Sequence, residues 1–571
     1  VTAQSYLILI GDDAASLQTF THAVSVGLLE AGWVHRLSYP FIGVFTPADS
    51  TLDVTGGLDG HGVLVGEMFA QDGRPLTREE RGVAGCRPLD VDRAQSVIAE
   101  FWGRYVLVRR TAGDAAILRD PSGAVEAVTW RKGGVTVVAS HPDLALNPVL
   151  PEAIAIDWAE VAALARRPGG FRHDLPLKGL TPIAAGELRT IGPGGSRGVQ
   201  IWRPAEIYRA RGDAGPKALR PAVEVAVRAL AGRRSWVAEV SGGLDSAIVA
   251  GVLKPAQRRR VVAWVNHYMS QPEGDERGWA RSVVERLGHE LCEVRREGLA
   301  LSADRWAMSA DGFRPAMNDI DPDYNDEIAG RIQATGAWGS LTGQGGDAVF
   351  FQMASPLLAF DEVHERGLRS RFHVVHSVAR WTRRSLWPAG WLRAWRSHRQ
   401  ARAHWDHPWL DDLKDVPPAK ALQISVLAAC QLFQAQAMRS RQGTCVNPLL
   451  SQPVMEAGLA CSTVDLTWGG RDRAAARDAF RDVLPPDLYA RRSKGELGAY
   501  YGAAVAEQLD VLRPYLLQGR LAQARLLPPG VEPLMTREAL LWRGGFSTLL
   551  SLALIEAWCR HWMERLEGLR R

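Results

Sequence analysis

The stretch that most constrains this chain is Ser235-Trp-Val-Ala-Glu-Val240, followed at once by Ser241-Gly242-Gly243-Leu244-Asp245-Ser246 and an apolar run to Leu253. A short β-rich run, a glycine turn and an apolar helix, in that order, predict a strand of a parallel sheet delivering its turn to a helix N-terminus. Backbone N–H groups and the positive end of the helix dipole point at a bound anion there. Gly242 and Gly243 let phosphate approach the backbone, and the hydroxyls of Ser241 and Ser246 add donors. The run from Ser241 through Leu244 and Asp245 to Ser246 reads as a phosphate cradle. It is not a Walker loop, because the lysine of that motif is missing.

The flanking pattern extends this unit. Helical spacing over 219–231, strands over 260–266 and 290–295, and a helix over 276–287 repeat the βαβ alternation of a sheet covered by helices. Beyond Phe350 the chain reads as almost wholly helical, with 546–558 a buried helix. The first 200 residues differ: short apolar runs at 6–10, 62–65, 105–109, 115–118, 125–130 and 135–139, broken by glycine turns, predict an antiparallel, strand-rich domain. Two stretches there, 94–101 and 158–166, have helical spacing. These patterns divide the chain into a domain over 1–205, a Gly/Pro-containing linker over 206–218 and a second domain over 219–571.

Composition narrows the class. With 571 residues, 46% hydrophobic and 23% charged, the chain is globular, and no apolar run reaches the roughly 18–20 residues that span a bilayer. No signal-peptide pattern opens the sequence, so a cytoplasmic protein is expected. Six scattered cysteines show no CxxC or Cys/His spacing, which argues against a disulfide framework or structural zinc. Net charge is only +5, too mild to imply nucleic acid. Lysines are scarce, seven among 68 basic residues, so a lysine inside a motif stands out.

A second glycine turn follows another apolar stretch: Ser340-Leu-Thr342-Gly343-Gln344-Gly345-Gly346-Asp347. Asp245 and Asp347 would be two carboxylates able to hold Mg²⁺ against a triphosphate, the oxygen-rich coordination that ion prefers. Gly343, Gly345 and Gly346 complete the nucleotide-binding set.

SGGLDS after a strand resembles the signature of the PP-loop ATP pyrophosphatases, which release pyrophosphate and yield AMP. Together with Thr342 to Asp347 and the basic run Arg491-Arg492-Ser493-Lys494-Gly495-Glu496, it makes the chain similar to the asparagine synthetase B superfamily over nearly its full length. Asn447-Pro448-Leu449-Leu450 is similar to a further segment of that family. Gly103-Arg-Tyr-Val-Leu-Val, Leu118-Arg119-Asp120-Pro121-Ser122-Gly123 and Ala139-Ser140 resemble its glutaminase-type domain. The resemblance implies a mixed fold: an Ntn-type amidotransferase-like β-rich sandwich, then a PP-loop α/β synthetase domain with a largely helical C-terminal part. It also implies ATP and Mg²⁺ as cofactors.

Two departures set the chain apart within that family. The glutaminase members use an N-terminal cysteine, whereas this sequence reads Val1-Thr2-Ala3-Gln4 with no cysteine before Cys86, so no glutamine hydrolysis is expected and the domain is expected to serve as a scaffold. The position that is glutamate in the asparagine synthetases and tyrosine in the β-lactam synthetases is Gln344 here. A glutamine is no general base, and a peptide α-amine, with a pKa near 7.7–8.0, needs one less than a lysine near 10.4. In these features the chain resembles the lasso peptide cyclases. The resemblance implies adenylation of an Asp or Glu side chain in a precursor peptide, then attack by the precursor's N-terminal amine to close an isopeptide macrolactam. It also implies a leader-binding protein and a leader protease as partners. A small-molecule amide ligase of the asparagine or β-lactam synthetase type is the alternative.

In that scheme Lys494 neutralises charge on the phosphates or on the tetrahedral intermediate, with Gln344 and Arg491 beside it; an exposed loop lysine is the plainer reading of Lys494. Glu496 is a further conceivable base. Asp275 and Glu276 read as helix caps, and the acidic run from Asn318 to Glu327 as a solvated loop near the substrate mouth. The segment 366–405 holds ten arginines, five tryptophans and no acid; a helical insert, a peptide-docking surface and an RNA contact all remain open for it. No membrane association is expected.

Overall fold

The computed structural model describes residues 2–571 apart from 112, 213–214, 270, 368–371, 383–391, 393–395, 397–405, 436, 493–494 and 496. Lys494, Glu496 and most of the segment 366–405 lie outside the described residues.

The architecture is mixed α/β. Its N-terminal part is a sandwich of two six-stranded antiparallel sheets. One sheet runs Thr181–Pro182, Val128–Lys132, Val135–Ala139, Leu7–Gly11, Ile42–Pro47, Trp33–Ser38, and the other Gly195–Gln200, Glu187–Gly192, Ala115–Arg119, Phe101–Arg110, Gly62–Ala70, Val54–Gly56. The period of two along each strand explains the packing. Tyr6, Ile8 and Ile10 meet Val63, Val65, Val106 and Val108 between the sheets. Leu7 and Leu9 point the other way, into a cluster with Leu549, Trp558 and Trp562 of the helix Phe546–Arg570. Leu64, Leu107 and Leu118 of the second sheet pack instead with Val227, Trp236 and Leu450. The inner strands of both sheets are covered on both sides, which is why they read as continuous apolar runs.

Two expectations for this part need revision. Residues 14–30 form a helix, Ala14–Glu30, capped by Asp13, whose carboxylate accepts from the Ser16 N–H at 2.7 Å; only Leu17, Val24 and Leu28 are buried on it, too sparse an apolar stripe to read. The strand expected at 125–130 lies at Val128–Lys132. The helix Pro204–Arg209 overlaps the start of the expected linker, and within the linker Arg211 pairs with Glu365 at 2.7 Å.

The second half is built on a parallel sheet in the order Leu291–Arg296, Val261–Met269, Trp236–Glu239, Gly339–Leu341, Thr444–Val446. Trp236, Ala238 and Val240 face one core, and Val237 with Val265, Ile328 and Ile332 faces another, as a sheet covered on both sides requires. The helix Leu244–Val252 is buried along its whole length, which accounts for its uninterrupted apolar sequence. The sheet grows outward from Trp236–Glu239 in both directions, so its strand order reverses between Trp236–Glu239 and Gly339–Leu341. In open α/β sheets ligands bind at the carboxyl ends of strands flanking such a reversal.

The acidic run 318–327 is not a solvated loop. Asp321 caps the helix Pro322–Thr335 and pairs with the buried Arg296 at 2.6 Å, Asp319 accepts from the Met438 N–H, and Asp323 and Asp326 both pair with Arg305. The final helix runs from Phe546 to Arg570, well past the expected 558. No helix among the described residues is long and apolar enough to cross a membrane.

Candidate active site

Both glycine turns stand at the carboxyl ends of the two strands that flank the reversal. In the first, the Ser241 N–H donates to Ser246 Oγ at 3.2 Å, the Gly243 N–H donates to Ser241 Oγ at 3.2 Å, and the two hydroxyls lie 3.1 Å apart. The serines therefore brace the loop. Gly243 is the helix N-cap and has no side chain to cap the first turn, which leaves that end of the helix suited to an anion.

The glycines of the second turn are explained by what they touch. A Cβ on Gly343 would stand 2.4 Å from the Ser246 nitrogen, and one on Gly346 2.4 Å from the Asp245 carboxyl carbon. The two loops are in backbone contact, and larger residues would push them apart. Gly345 has φ +90° and lies against Leu450, the last residue of Asn447-Pro448-Leu449-Leu450. From the same segment Asn447 Oδ1 accepts from Thr342 Oγ1 at 2.6 Å.

Asp245 and Asp347 converge on one nitrogen. Arg473 Nη1 donates to Asp245 Oδ2 at 2.9 Å and to Asp347 Oδ1 at 2.7 Å, while its Nη2 lies 3.0 Å from Asp472. Burial of Arg473 opposes its ionisation, but the three carboxylates outweigh it and hold the guanidinium above its ordinary pKa. Two carboxylates from different loops, aimed at a single cation position, are a donor set that fits a hard divalent ion beside phosphate oxygens. In this structure the position is filled by Arg473, whose charge such an ion would replace. Sequence reasoning missed Arg473: one arginine among so many carries no mark, although its backbone is left-handed, φ +51°, as it is at Phe351 and Arg525 among the described non-glycine residues.

Arg491 does not face the mouth. Its Nη1 donates to the Gly242 carbonyl at 2.9 Å, its Nη2 pairs with Glu276, and its guanidinium stacks 3.7 Å over Trp279. Glu276 stands at the N-cap of the helix Arg277–Arg286 as expected, but its side chain makes no cap bond; it accepts from the Gly495 N–H at 2.7 Å and so is a clasp between the first turn and the basic run. Asp275 accepts from the Arg277 N–H at 3.1 Å, at the start of that helix as expected, and also pairs with the Arg277 guanidinium. Arg492 is exposed.

Gln344 sits on a buried polar chain that the sequence did not announce. Its N–H donates to Thr342 Oγ1 at 3.1 Å, and its Oε1 accepts from Arg439 Nη2 at 3.2 Å. Arg439, 1% exposed, donates from Nη1 to Glu239 at 3.2 Å, and Glu239 also accepts from the Tyr324 hydroxyl. Burial pushes the Glu239 carboxyl above its usual range against the pull of Arg439 and His267.

The motifs in the sandwich do different work. Asp120 is fully buried and accepts from the N–H groups of Tyr105, at 3.0 Å, and Ser122, at 2.7 Å; burial pushes its carboxyl up to about 6. Gly123 is pressed against Gln431, whose amide donates to the Ser122 carbonyl at 3.3 Å, so this turn docks the sandwich onto the second half. Thr2 is buried and its hydroxyl lies 3.1 Å from that of Ser5.

Two apposed glycine turns at the reversal point of a parallel sheet, joined to an antiparallel sandwich, define a mixed α/β protein with one candidate anion site at the carboxyl ends of its strands. The asparagine synthase family model matches residues 218–560, more than half of the chain, and the protein belongs to that family. No curated protein matches the chain. Among solved structures it is similar to glutamine phosphoribosylpyrophosphate amidotransferase from B. subtilis complexed with ADP and GMP, at 13% identity and TM-score 0.22 over 50% of this chain and 65% of that one. It is also similar to the allosteric regulatory enzyme of purine biosynthesis, at 12% identity and TM-score 0.21 over 51% of this chain and 74% of that one. The chain thus spans less than two thirds of the first of these enzymes.

Proposed function

We propose that the protein closes an isopeptide macrolactam in a precursor peptide, spending ATP to AMP and pyrophosphate. The observation that carries this reading is Gln344: the place where an asparagine synthetase has a carboxylate is a neutral amide, fixed by Arg439, so the attacking amine must be substantially unprotonated by itself. A peptide α-amine is, at a pH of about 7.5.

In this scheme the peptide's Asp or Glu carboxylate attacks the α-phosphorus, and pyrophosphate leaves into the cradle of Ser241 to Ser246. Asp245 and Asp347 are the residues that would hold Mg²⁺, which when bound draws charge off the phosphates. Arg491 and Glu276 keep the Gly242 carbonyl turned away from them, and Lys494 is assigned to the charge of the phosphates or of the tetrahedral adduct. The sandwich acts as a scaffold. A leader-binding protein and a leader protease are proposed partners in the cytoplasm.

Peptides with a free N-terminal amine and a single Asp or Glu at successive positions test this. Loss of one water in the mass spectrum, with AMP formed in step, is the expected result. Water loss from an N-acetylated peptide, or ADP as product, would overturn it, and amide formation with free ammonia or a small internal amine alone would favour a small-molecule ligase.

A further inference from the structure

The contact between Gln344 and Arg439 fixes more than the position of a side chain. A guanidinium has five N–H donors and no acceptor, so only the oxygen of the Gln344 amide can face it. That oxygen is the one that meets Arg439 Nη2, at 3.2 Å. Arg439 is in turn immobilised: it is 1% exposed, it is ion-paired with Glu239, and Glu239 is held from its other side by Tyr324. The backbone of Gln344 is pinned separately through Thr342 and Asn447. What the half-buried Gln344 offers to a substrate in the crevice is therefore its N–H₂, a donor.

We propose that Gln344 donates a hydrogen bond to the acyl oxygen as the amine adds, and that Arg439 is the positioning residue that enforces this polarity. The inference rests on the amide-forming reading above. When the amine's lone pair forms the C–N bond, the carbonyl π pair moves onto oxygen, and the Gln344 N–H meets the charge that develops there. The adduct then re-forms C=O and breaks the C–O bond to phosphate, AMP leaves with that electron pair, and the surplus proton on nitrogen passes to water. A donor aimed at developing charge is worth most in a water-poor site. The carboxylate found here in an asparagine synthetase would do the opposite, because it has only acceptors to offer.

The test is the yield of amide per adenylation event, using synthetic peptides with a free α-amine and one Asp or Glu, with amide read by mass and adenylation by ATP/pyrophosphate exchange. Gln344→Leu should lower that ratio by about 100-fold, the usual cost of one such donor, and Gln344→Glu at least as much. Arg439→Lys, still a pure donor, should keep most of the ratio. Arg439→Gln lets the amide turn over and should lose as much as Gln344→Leu, while the double variant Gln344→Leu/Arg439→Gln should lose little beyond either single change. If Arg439→Gln fails to fold, seen by circular dichroism and loss of exchange, the two Gln344 variants decide. A Gln344→Glu enzyme as productive as the parent, or a Gln344→Leu enzyme with an unchanged ratio, overturns the inference and leaves the proposed function standing. Absence of exchange with every peptide in the parent enzyme overturns both.

Discussion

Two turns in this molecule are composed alike and behave differently. Arg119-Asp120-Pro121-Ser122-Gly123 and Ser241-Gly242-Gly243-Leu244-Asp245-Ser246 each set an aspartate among serine and glycine. Asp120 is fully buried and satisfied by N–H groups of its own neighbourhood, whereas Asp245 shares a cation with an aspartate from a separate loop. A carboxylate answered by backbone donors holds a fold together. Carboxylates that converge from separate loops onto one charge leave a position that another cation can take.

The sharpest way to break this contrast is to remove the carboxylates in turn. Asp245→Ala and Asp347→Ala should each lower ATP/pyrophosphate exchange by more than about 100-fold, at least 2.7 kcal/mol of barrier, with an unchanged circular dichroism spectrum. Asp120→Ala should instead lower the unfolding midpoint, with activity lost only in proportion to the unfolded fraction. Equal behaviour of the three variants would erase the distinction.

Arg473→Met comes next. It leaves Asp245, Asp347 and Asp472 without their shared counter-charge, and breaking a buried ion pair from one side costs about 3–5 kcal/mol. Added Mg²⁺ should raise the melting temperature of this variant more than that of the parent, and an equal rise in both would show that the ion binds elsewhere.

Gly346→Ala drives a Cβ to 2.4 Å from the Asp245 carboxyl carbon. Overpacking of this kind costs about 1–3 kcal/mol, and exchange should fall before stability does, because the loops separate first. Unchanged exchange would show that their contact is dispensable.

The smallest effect concerns pH. Burial raises the Asp120 carboxyl from 3.8 to about 6, so between those values the folded state binds more protons than the unfolded one and stability falls as pH rises. Asp120→Asn should remove a fall of about 2 kcal/mol across that window, read as the difference between the two proteins' urea midpoints. An identical slope in both would mean that Asp120 titrates normally.

What could be read from sequence was local. The strand, turn and helix around Ser241 to Ser246 follow from neighbouring residues, and so do the flanking βαβ units. Arg439, Glu239 and Arg473 acquire their roles from partners 85 to 228 positions away, and nothing in an arginine-rich chain marks them beforehand. The reading of 318–327 as a loop followed its Asp and Asn content, although Asp321 before Pro322 is a helix-start signal. Gln344 was legible as a departure, but the direction in which its amide faces came only with Arg439.

Leu7 and Leu9 share one buried cluster with Leu17, Val24 and Leu28 of the helix Ala14–Glu30 and with Leu549, Trp558 and Trp562 of the last helix, and this sets an order of events during synthesis. The first strand and the helix after it leave the ribosome some 500 residues ahead of the helix that completes the cluster. At translation rates of about 5–20 residues per second, that apolar surface waits roughly half a minute to two minutes for its last partner, an interval in which a chaperone or a premature partner competes with the helix Phe546–Arg570 for it.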